Sequence, residues 1–484
     1  MNTKQLRQKI LDLAIRGKLV PQDPSDEPAS VLLERVRAEK ERLIKEGKIK
    51  RDKKDSAIIR STDKPRYGKL PEGWSWTRLD NITNIVMGQS PVGDSVTDNA
   101  EGVEFHQGKI FFTDRLLAQS GQYTSEGNKI ADKNSVLLCV RAPVGIVNIT
   151  NRKIAIGRGL CALSPLCDMS VEFLFHLLTA FQDSFIEQAT GTTFIAITTD
   201  VVRQQLVPLP PLAEQRHIVS AIESAFAFID EIEQNKNDLQ SAIAVAKQKI
   251  LSLAIRGKLV PQDPNDEPAS VLLERIRAER EKLISEGKIK RGKGDSAIIR
   301  SGDNPYYEKL PDGWVITTVD NLFFVVGGGT PSTNKVEYWG NGIPWFSSAD
   351  INESGVITPR RCVTQLGLDN STTNVVPKGS VVVVTRVGLG KVAITDDDMC
   401  FSQDNQALIP QYSKVIDSWY LFHFMFHEMQ TLKLSGRGTT ISGITKKQLS
   451  DIYLWIPPFA EQHRIVVAVE TAFEQLDNIA AALM

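Results

Sequence analysis

Two arginines, Arg141 and Arg386, hold the same place in two related segments, LLCVRAPVGIVNIT (137–150) and VVVTRVGLGKVAIT (382–395). Each follows an apolar strand pattern and precedes a glycine turn. A guanidinium there offers a rigid fork of donors that fits a base edge or a phosphate. The same fork also suits a salt bridge under the turn, and the sequence leaves both readings open. Lys391 adds a cation after the second turn. Upstream lie two polar glycine-proline loops, GQSP (88–91) and GGTP (328–331). Their Gln89, Ser90, Thr330 and Ser332 suit groove contacts and serve equally as turn residues. Downstream, GTT (191–193) and RGTT (437–440) offer Thr192, Thr193, Arg437, Thr439 and Thr440 to phosphate oxygens. On the first of these readings the chemistry is that of holding a nucleic acid; on the second it is that of bracing turns.

Motifs for bond-making are missing. There is no GxxxxGK[ST] loop. The three glycines at 327–329 lead into Thr330-Pro331, not into the helix start of a dinucleotide fingerprint. Ile456-Pro457-Pro458-Phe459 lacks the polar first residue that would accept a hydrogen bond from an adenine amino group, which argues against methylation by this chain. No GxSxG elbow occurs. His423 and His427 could share a helix face, but HFMFH lacks the glutamate of a zinc protease. A helix edge packed on a core explains them better. His176 aligns with His423 and has no second histidine beside it. Carboxylates such as Asp396–Asp398 are scattered without repeated pairing, so a nuclease centre has little support. Five cysteines without CxxC spacing point to a reducing, cytoplasmic setting and no structural zinc. No apolar run is long enough to span a membrane.

Charge places a condition on any nucleic-acid reading. The formal net charge is −1. Residues 74–208 hold ten basic and thirteen acidic side chains, and residues 314–455 hold eleven and twelve. Tight binding to DNA therefore needs a basic partner to supply phosphate contacts.

The elements that must position these loops are two copies of one unit. At 212–260, Ile218, Ile222, Ala225, Ile229, Ile232, Lys236, Leu239, Ile243, Ala246, Ile250 and Leu253 alternate by four and three, a heptad seam. A helix over most of it would be roughly 65 Å long. Ile465, Val469, Ala472, Leu476, Ile479 and Leu483 repeat the first half of this seam, and Leu6, Ile10 and Leu13 repeat the second. The chain thus reads as a duplicated unit cut open within one long helix, so that its two ends form a composite partner for the intact helix. AIRGKLVPQDP occurs unchanged at 14–24 and 254–264, and DEPASVLLER opens a shorter helix in both copies. Charged segments at 34–54 and 274–294 carry ten basic against five acidic and eight against four, which suits partner binding or a solvated face. KLPEGW (69–74) and KLPDGW (309–314) open each globular head, and VPLPPLAEQ (207–215) and LWIPPFAEQ (454–462) close it.

These motifs, occurring twice and in order, resemble the specificity (S) subunit of bacterial Type I restriction–modification systems over essentially the whole chain. The resemblance implies an α+β fold in which two mixed α/β target recognition domains are separated by long, antiparallel, coiled-coil-like helices in a pseudo-twofold, circular layout. The expected parts are a helical segment at 1–59, a first recognition domain at 60–210, a central helical region at 211–299, a second recognition domain at 300–457 and a terminal helix at 458–484. It further implies a non-catalytic reader of a split, asymmetric site on double-stranded DNA. Two modification (M) subunits would bring S-adenosylmethionine and methylate adenine N6; two restriction (R) subunits would bring ATP and Mg2+ and cleave. No cofactor is expected on this chain. The rival readings are a protein-interaction scaffold that never touches DNA and a stand-alone DNA-modifying enzyme.

Overall fold

A computed structural model describes residues 2–49, 69–92, 95–127, 129–191, 195–286, 310–411, 416–435 and 443–482. The chain divides into two compact units, Met1–Asn235 and Lys236–Met484. Each contains a head of mixed α/β structure and helical segments, as the duplicated motifs require.

In the first unit, helix Thr3–Ile15 and helix Ala29–Lys45 precede the head. The second of these buries Leu32 and Val36, and leaves Val31 on the exposed side. Strand Ser75–Arg78 pairs antiparallel with Leu206–Leu209, so the entry and exit of the head are stitched together. Inside lies a four-stranded antiparallel sheet in the order Thr83–Met87, Leu160–Pro165, Ser135–Cys139, Val147–Thr150. Helix Val171–Ala180 covers it, its first turn capped by the Ser170 hydroxyl, which accepts the Phe173 N–H at 3.2 Å. The variable segment builds a further five-stranded sheet.

The second unit repeats this plan. Val315–Thr318 pairs with Tyr453–Ile456, and the four-stranded sheet runs Phe323–Gly327, Asn405–Pro410, Val381–Val384, Val392–Ile394. Val381–Val384 is a run of four β-branched residues, all buried, because its strand is central and covered on both faces. Here the variable segment forms a three-stranded sheet, Arg361–Val363, Trp339–Phe346 and Cys400–Phe401.

The long helix is continuous over Leu212–Ile255, with no glycine or proline to break it. Ile218, Ile222, Ile229 and Ile243 of its seam are buried, as are Ile465 and Val469 of the C-terminal helix Phe459–Ala482. Leu6, Ile10, Ile232, Ile250 and Leu476 are half-buried, and Leu239 is 37% exposed. Part of the seam is shared with the heads: Ile218 and Ile222 belong to the first head's core, Ile465 and Val469 to the second's. Helix Thr3–Ile15 and the long helix both stop at a glycine in the left-handed region, Gly17 and Gly257. A Cβ there would lie 2.4 Å from Pro71 and 2.5 Å from Pro311, so both the turn and its packing demand glycine.

Behind each Pro-acid-Gly-Trp turn sits the same triad, a buried carboxyl and indole joined by a surface glutamine. Trp74 Nε1 donates to Glu214 at 2.8 Å and Gln22 Nε2 donates to its other oxygen at 3.2 Å. Trp314 and Gln262 do the same to Glu461, at 3.1 and 3.2 Å. Burial pushes both carboxyls above the usual range, and the hydrogen bonds only partly offset it. The helix pairs are clamped alike. Arg7 lies over the Phe226 ring at 5.0 Å and pairs with Asp230; Lys247 lies over Phe473 at 5.0 Å and pairs with Asp477.

Candidate nucleic-acid interface

The loops singled out in the sequence converge within each head. In the first, Arg141 forms a β-bridge to Ala196, and the Ala142 N–H donates to the Ile195 carbonyl at 3.0 Å. The Ile197 N–H donates to Val140 at 2.9 Å. The strand-end arginine and the far end of the GTT segment are thus fixed side by side, although they lie far apart in the chain. Arg141 itself is exposed. In the second head the Ile444 N–H donates to the Thr385 carbonyl at 2.8 Å, which places Gly443–Thr445 beside the exposed Arg386. Arg386, Val387, Gly388, Lys433, Gly443 and Thr445 line a concavity of about 600 Å³. Two cations and a hydroxyl facing one hollow suit an anionic ligand. Thr192, Thr193, Arg437, Thr439 and Thr440 lie outside the described residues.

The two glycine-proline loops are built alike. Gly88 and Gly328 press against neighbouring backbone: a Cβ would fall 2.1 Å from the Gly157 carbonyl oxygen in one and 2.3 Å from the Ser402 carbonyl oxygen in the other. This close seat fixes the residues that follow. Gln89 is exposed, with its backbone N–H held by the Ile156 carbonyl at 3.0 Å. Ser90 donates to Gln107 at 2.9 Å, and Thr330 donates to Gln403. Ser332 is exposed. Lys391 differs from the other cations. Its ammonium donates to the Ile351 carbonyl at 2.6 Å and the Ser348 carbonyl at 3.4 Å, so it braces the loop after Phe346.

Groups that could have suggested catalysis have structural surroundings. His423 is buried against Phe422 and Phe473, with ring centroids at 5.2 and 6.1 Å, and burial brings its pKa down to about 4. His176 repeats this against Phe175 and Phe226, at 5.3 and 6.0 Å, again about 4; burial is the main cause and Arg115 adds to it. Each leaves one ring nitrogen without a partner. Burial pushes the Cys139 thiol up to about 12 and that of Cys400 to about 11, which removes thiolate character. Glu104 in the first head is held down at about 2: burial opposes ionisation, but Arg152, the Ser120 N–H and His106 outweigh it. This network ties strand Val103–His106 to the four-stranded sheet's edge loop. Among the described residues no group of three His, Cys, Asp or Glu side chains could hold a metal ion. Also among them, no helix is long and apolar enough to cross a membrane.

Sequence reasoning missed one feature of the second head. The Arg361 guanidinium lies over the Trp339 ring, 5.4 Å from its centroid, and Trp339 meets Trp345 edge-on at 5.3 Å. The available signal was the two tryptophans of 331–350, since the counterpart segment 91–109 has none, with an arginine pair following at 360–361.

Comparison with known proteins gives one consistent result. The family model described as "Type I restriction modification DNA specificity domain" matches residues 71–240 and 311–482. The EcoAI specificity subunit of Escherichia coli, a Type I restriction enzyme component, is 27% identical over 98% of this chain and 90% of its own length. The EcoEI specificity subunit of Escherichia coli is 26% identical over 99% and 90%. Two solved structures share the fold. A chain from a study of complex assembly and conformational transition in a type I R-M system gives a TM-score of 0.57 at 21% identity, covering 86% of this chain and 94% of that one. The HsdS subunit from Thermoanaerobacter tengcongensis gives 0.50 at 20% identity, over 86% and 93%.

Proposed function

This chain belongs to the Type I restriction–modification DNA specificity family, as a non-catalytic specificity subunit, and from that premise we propose how its parts divide the work. Each head reads one half of a bipartite, asymmetric site on double-stranded DNA. The first recognition domain is 60–210 and the second 300–457, with 1–59, 211–299 and 458–484 as the helical frame. Arg141, Gln89 and Ser90 face DNA in the first head; Arg386, Thr330 and Ser332 face it in the second, with the GTT segments alongside. The helices set the length of the unread spacer. They also dock two modification subunits, which carry S-adenosylmethionine and methylate adenine N6, and two restriction subunits, which carry ATP and Mg2+. Because neither head has a basic excess, those partners supply most of the phosphate contacts.

One observation carries this reading. The frame is duplicated down to its triads and cation clamps, whereas the variable segments build a five-stranded sheet in one head and a three-stranded sheet in the other. A frame serving two like partners must stay alike, while heads reading unlike half-sites must differ. The test is to replace residues 80–206 with the corresponding head of another specificity subunit, assemble the methylase, and select bound sites from randomised duplexes. One half-site should change and the other persist. A change in both, or in neither, refutes the assignment of one head to one half.

A further inference from the structure

The second head contains a built concavity that none of the motifs above accounts for. Thr333, Val336, Trp339, Arg360, Arg361 and Cys362 line a hollow of about 650 Å³. Its floor is the hairpin of Trp339–Phe346 and Arg361–Val363, whose register shifts between Trp339 and Ile343. Such an irregularity re-aims the side chain at its edge, here Trp339. The indole is then fixed from two sides. Its Nε1–H donates to the Ser332 carbonyl at 3.1 Å, and Trp345 packs edge-on against it while donating its own N–H to the Gly329 carbonyl at 3.0 Å. Both tryptophans thereby pin the glycine-proline loop that carries Thr330 and Ser332. The loop and the hollow form one surface.

Arg360 and Arg361 are both exposed on that surface and differ in their partners. Arg360 is engaged by Asp350 at 2.8 Å. Among the described residues Arg361 has only the Trp339 face, at 5.4 Å. A ring face beside a guanidinium restricts its side chain without taking up its N–H donors, which lowers the entropy lost on making two parallel hydrogen bonds. A guanine major-groove edge presents O6 and N7 at that spacing. Val336, 81% exposed on the same rim, supplies an apolar surface of the kind that meets a thymine methyl group.

We infer that Arg361, restrained over the Trp339 ring, is a specificity-determining residue of the second head that reads a guanine in its half-site. This rests on the proposal that each head reads one half. Residues 77–210 contain no tryptophan, so the first head has no such platform.

The experiment uses the full chain assembled with its modification subunits. Half-sites are selected from randomised duplexes for the native protein, Arg361→Ala and Arg361→Lys. Binding to the native optimum is then compared with binding to the same duplex carrying 7-deazaguanine at each guanine of the second half-site. At one guanine the native protein should lose roughly tenfold or more in affinity on losing N7. Arg361→Ala should be indifferent to that change and relaxed at that position. Arg361→Lys keeps the charge without the fork and should also be relaxed there, while binding more tightly than the alanine variant. Retained guanine preference in Arg361→Lys overturns the inference. So does a uniform loss of affinity across all sequences with a shallower salt dependence, which marks a phosphate contact. A lowered melting temperature with unaltered site choice likewise overturns it. A change confined to the first half-site breaks the one-head, one-half reading instead.

Discussion

The buried histidines give a test in which the structure supplies the magnitude. His176 and His423 each sit between a head helix and a frame helix, packed on Phe226 and Phe473. Burial holds both near pKa 4, and the unfolded imidazole titrates near 6.5. A folded pKa lying below the unfolded one means that the unfolded chain binds protons first as pH falls. Stability is then complete above about pH 6.5 and is lost progressively between about 6.5 and 4. At pH 5 the unfolded ring is almost fully protonated and the folded one almost fully neutral, a loss of about 2 kcal/mol per histidine relative to pH 7.5.

Glu214 and Glu461 act with the opposite sign. Their folded pKa values are raised by burial, so the folded state takes up a proton before the unfolded one does, and stability is lost as pH rises through the folded value. A single acid-denaturation curve mixes the two effects, but a comparison of variants removes the carboxyl contribution. Urea unfolding of the native chain, His176→Phe, His423→Phe and the double variant between pH 7.5 and 5 is the assay. Phenylalanine keeps the aromatic contacts and cannot titrate. Any overpacking shifts the whole stability curve without changing its slope. Each substitution should remove about 2 kcal/mol of the acid loss, and the two should add, because the sites belong to separate units. Parallel curves for native chain and variants would refute the argument.

Two further predictions concern DNA reading. Insertion of seven residues after Asn237, with seven matching residues at a terminus, should lengthen the unread spacer by about three base pairs, since a heptad of helix is roughly 10 Å. Site selection should show both half-sites unchanged; an unaltered spacer in an intact complex leaves the helices as a docking platform only. Arg386→Ala should weaken DNA binding by the assembled methylase by about 1–3 kcal/mol if its fork meets a base edge, and equal affinity in a filter-binding titration would return Arg386 to a structural role.

Much of the frame was legible because it obeys local rules. The four-three alternation from Ile218 to Leu253 located a helix that runs continuously over Leu212–Ile255. It does not set how deeply each member is buried. Ile229 is buried while Leu239 is exposed, because a heptad pattern states which side chains share a stripe and not how closely a partner covers each. Pro-acid-Gly-Trp and Ala-Glu-Gln were visible as repeated words, but their meeting was not. Trp74 reaches Glu214 only through the fold, and no spacing rule connects them. The same holds for Arg141 and Ala196, joined by a β-bridge between distant segments. Lys391 stands after the second glycine turn, a place that offers its charge to DNA. Its partners are two backbone carbonyls of the loop after Phe346, and sequence carries no signal for such a contact.

The division between alike and unlike parts follows from the cost of changing each. In the triads, one buried carboxylate satisfies an indole and an amide; removing any member strands a polar group away from water, at about 1–3 kcal/mol. Three distant segments of each unit are thereby bound to one another's identity. The clamps tolerate slightly more: Arg7 and Lys247 stand at matching positions, and either cation can cover a phenylalanine and pair with an aspartate. The residues proposed to read DNA are under no such mutual constraint. Arg141, Arg386 and Arg361 are exposed on turns or at a strand's edge, and substitutions at exposed sites away from buried networks change stability little. A head can therefore exchange its reading residues, or rebuild the whole variable sheet, while its core and the triad behind it keep their geometry. The two heads have diverged through such substitutions on one frame. Arg361 over its Trp339 ring, for which the first head has no equivalent, is where that divergence should yield a different base preference.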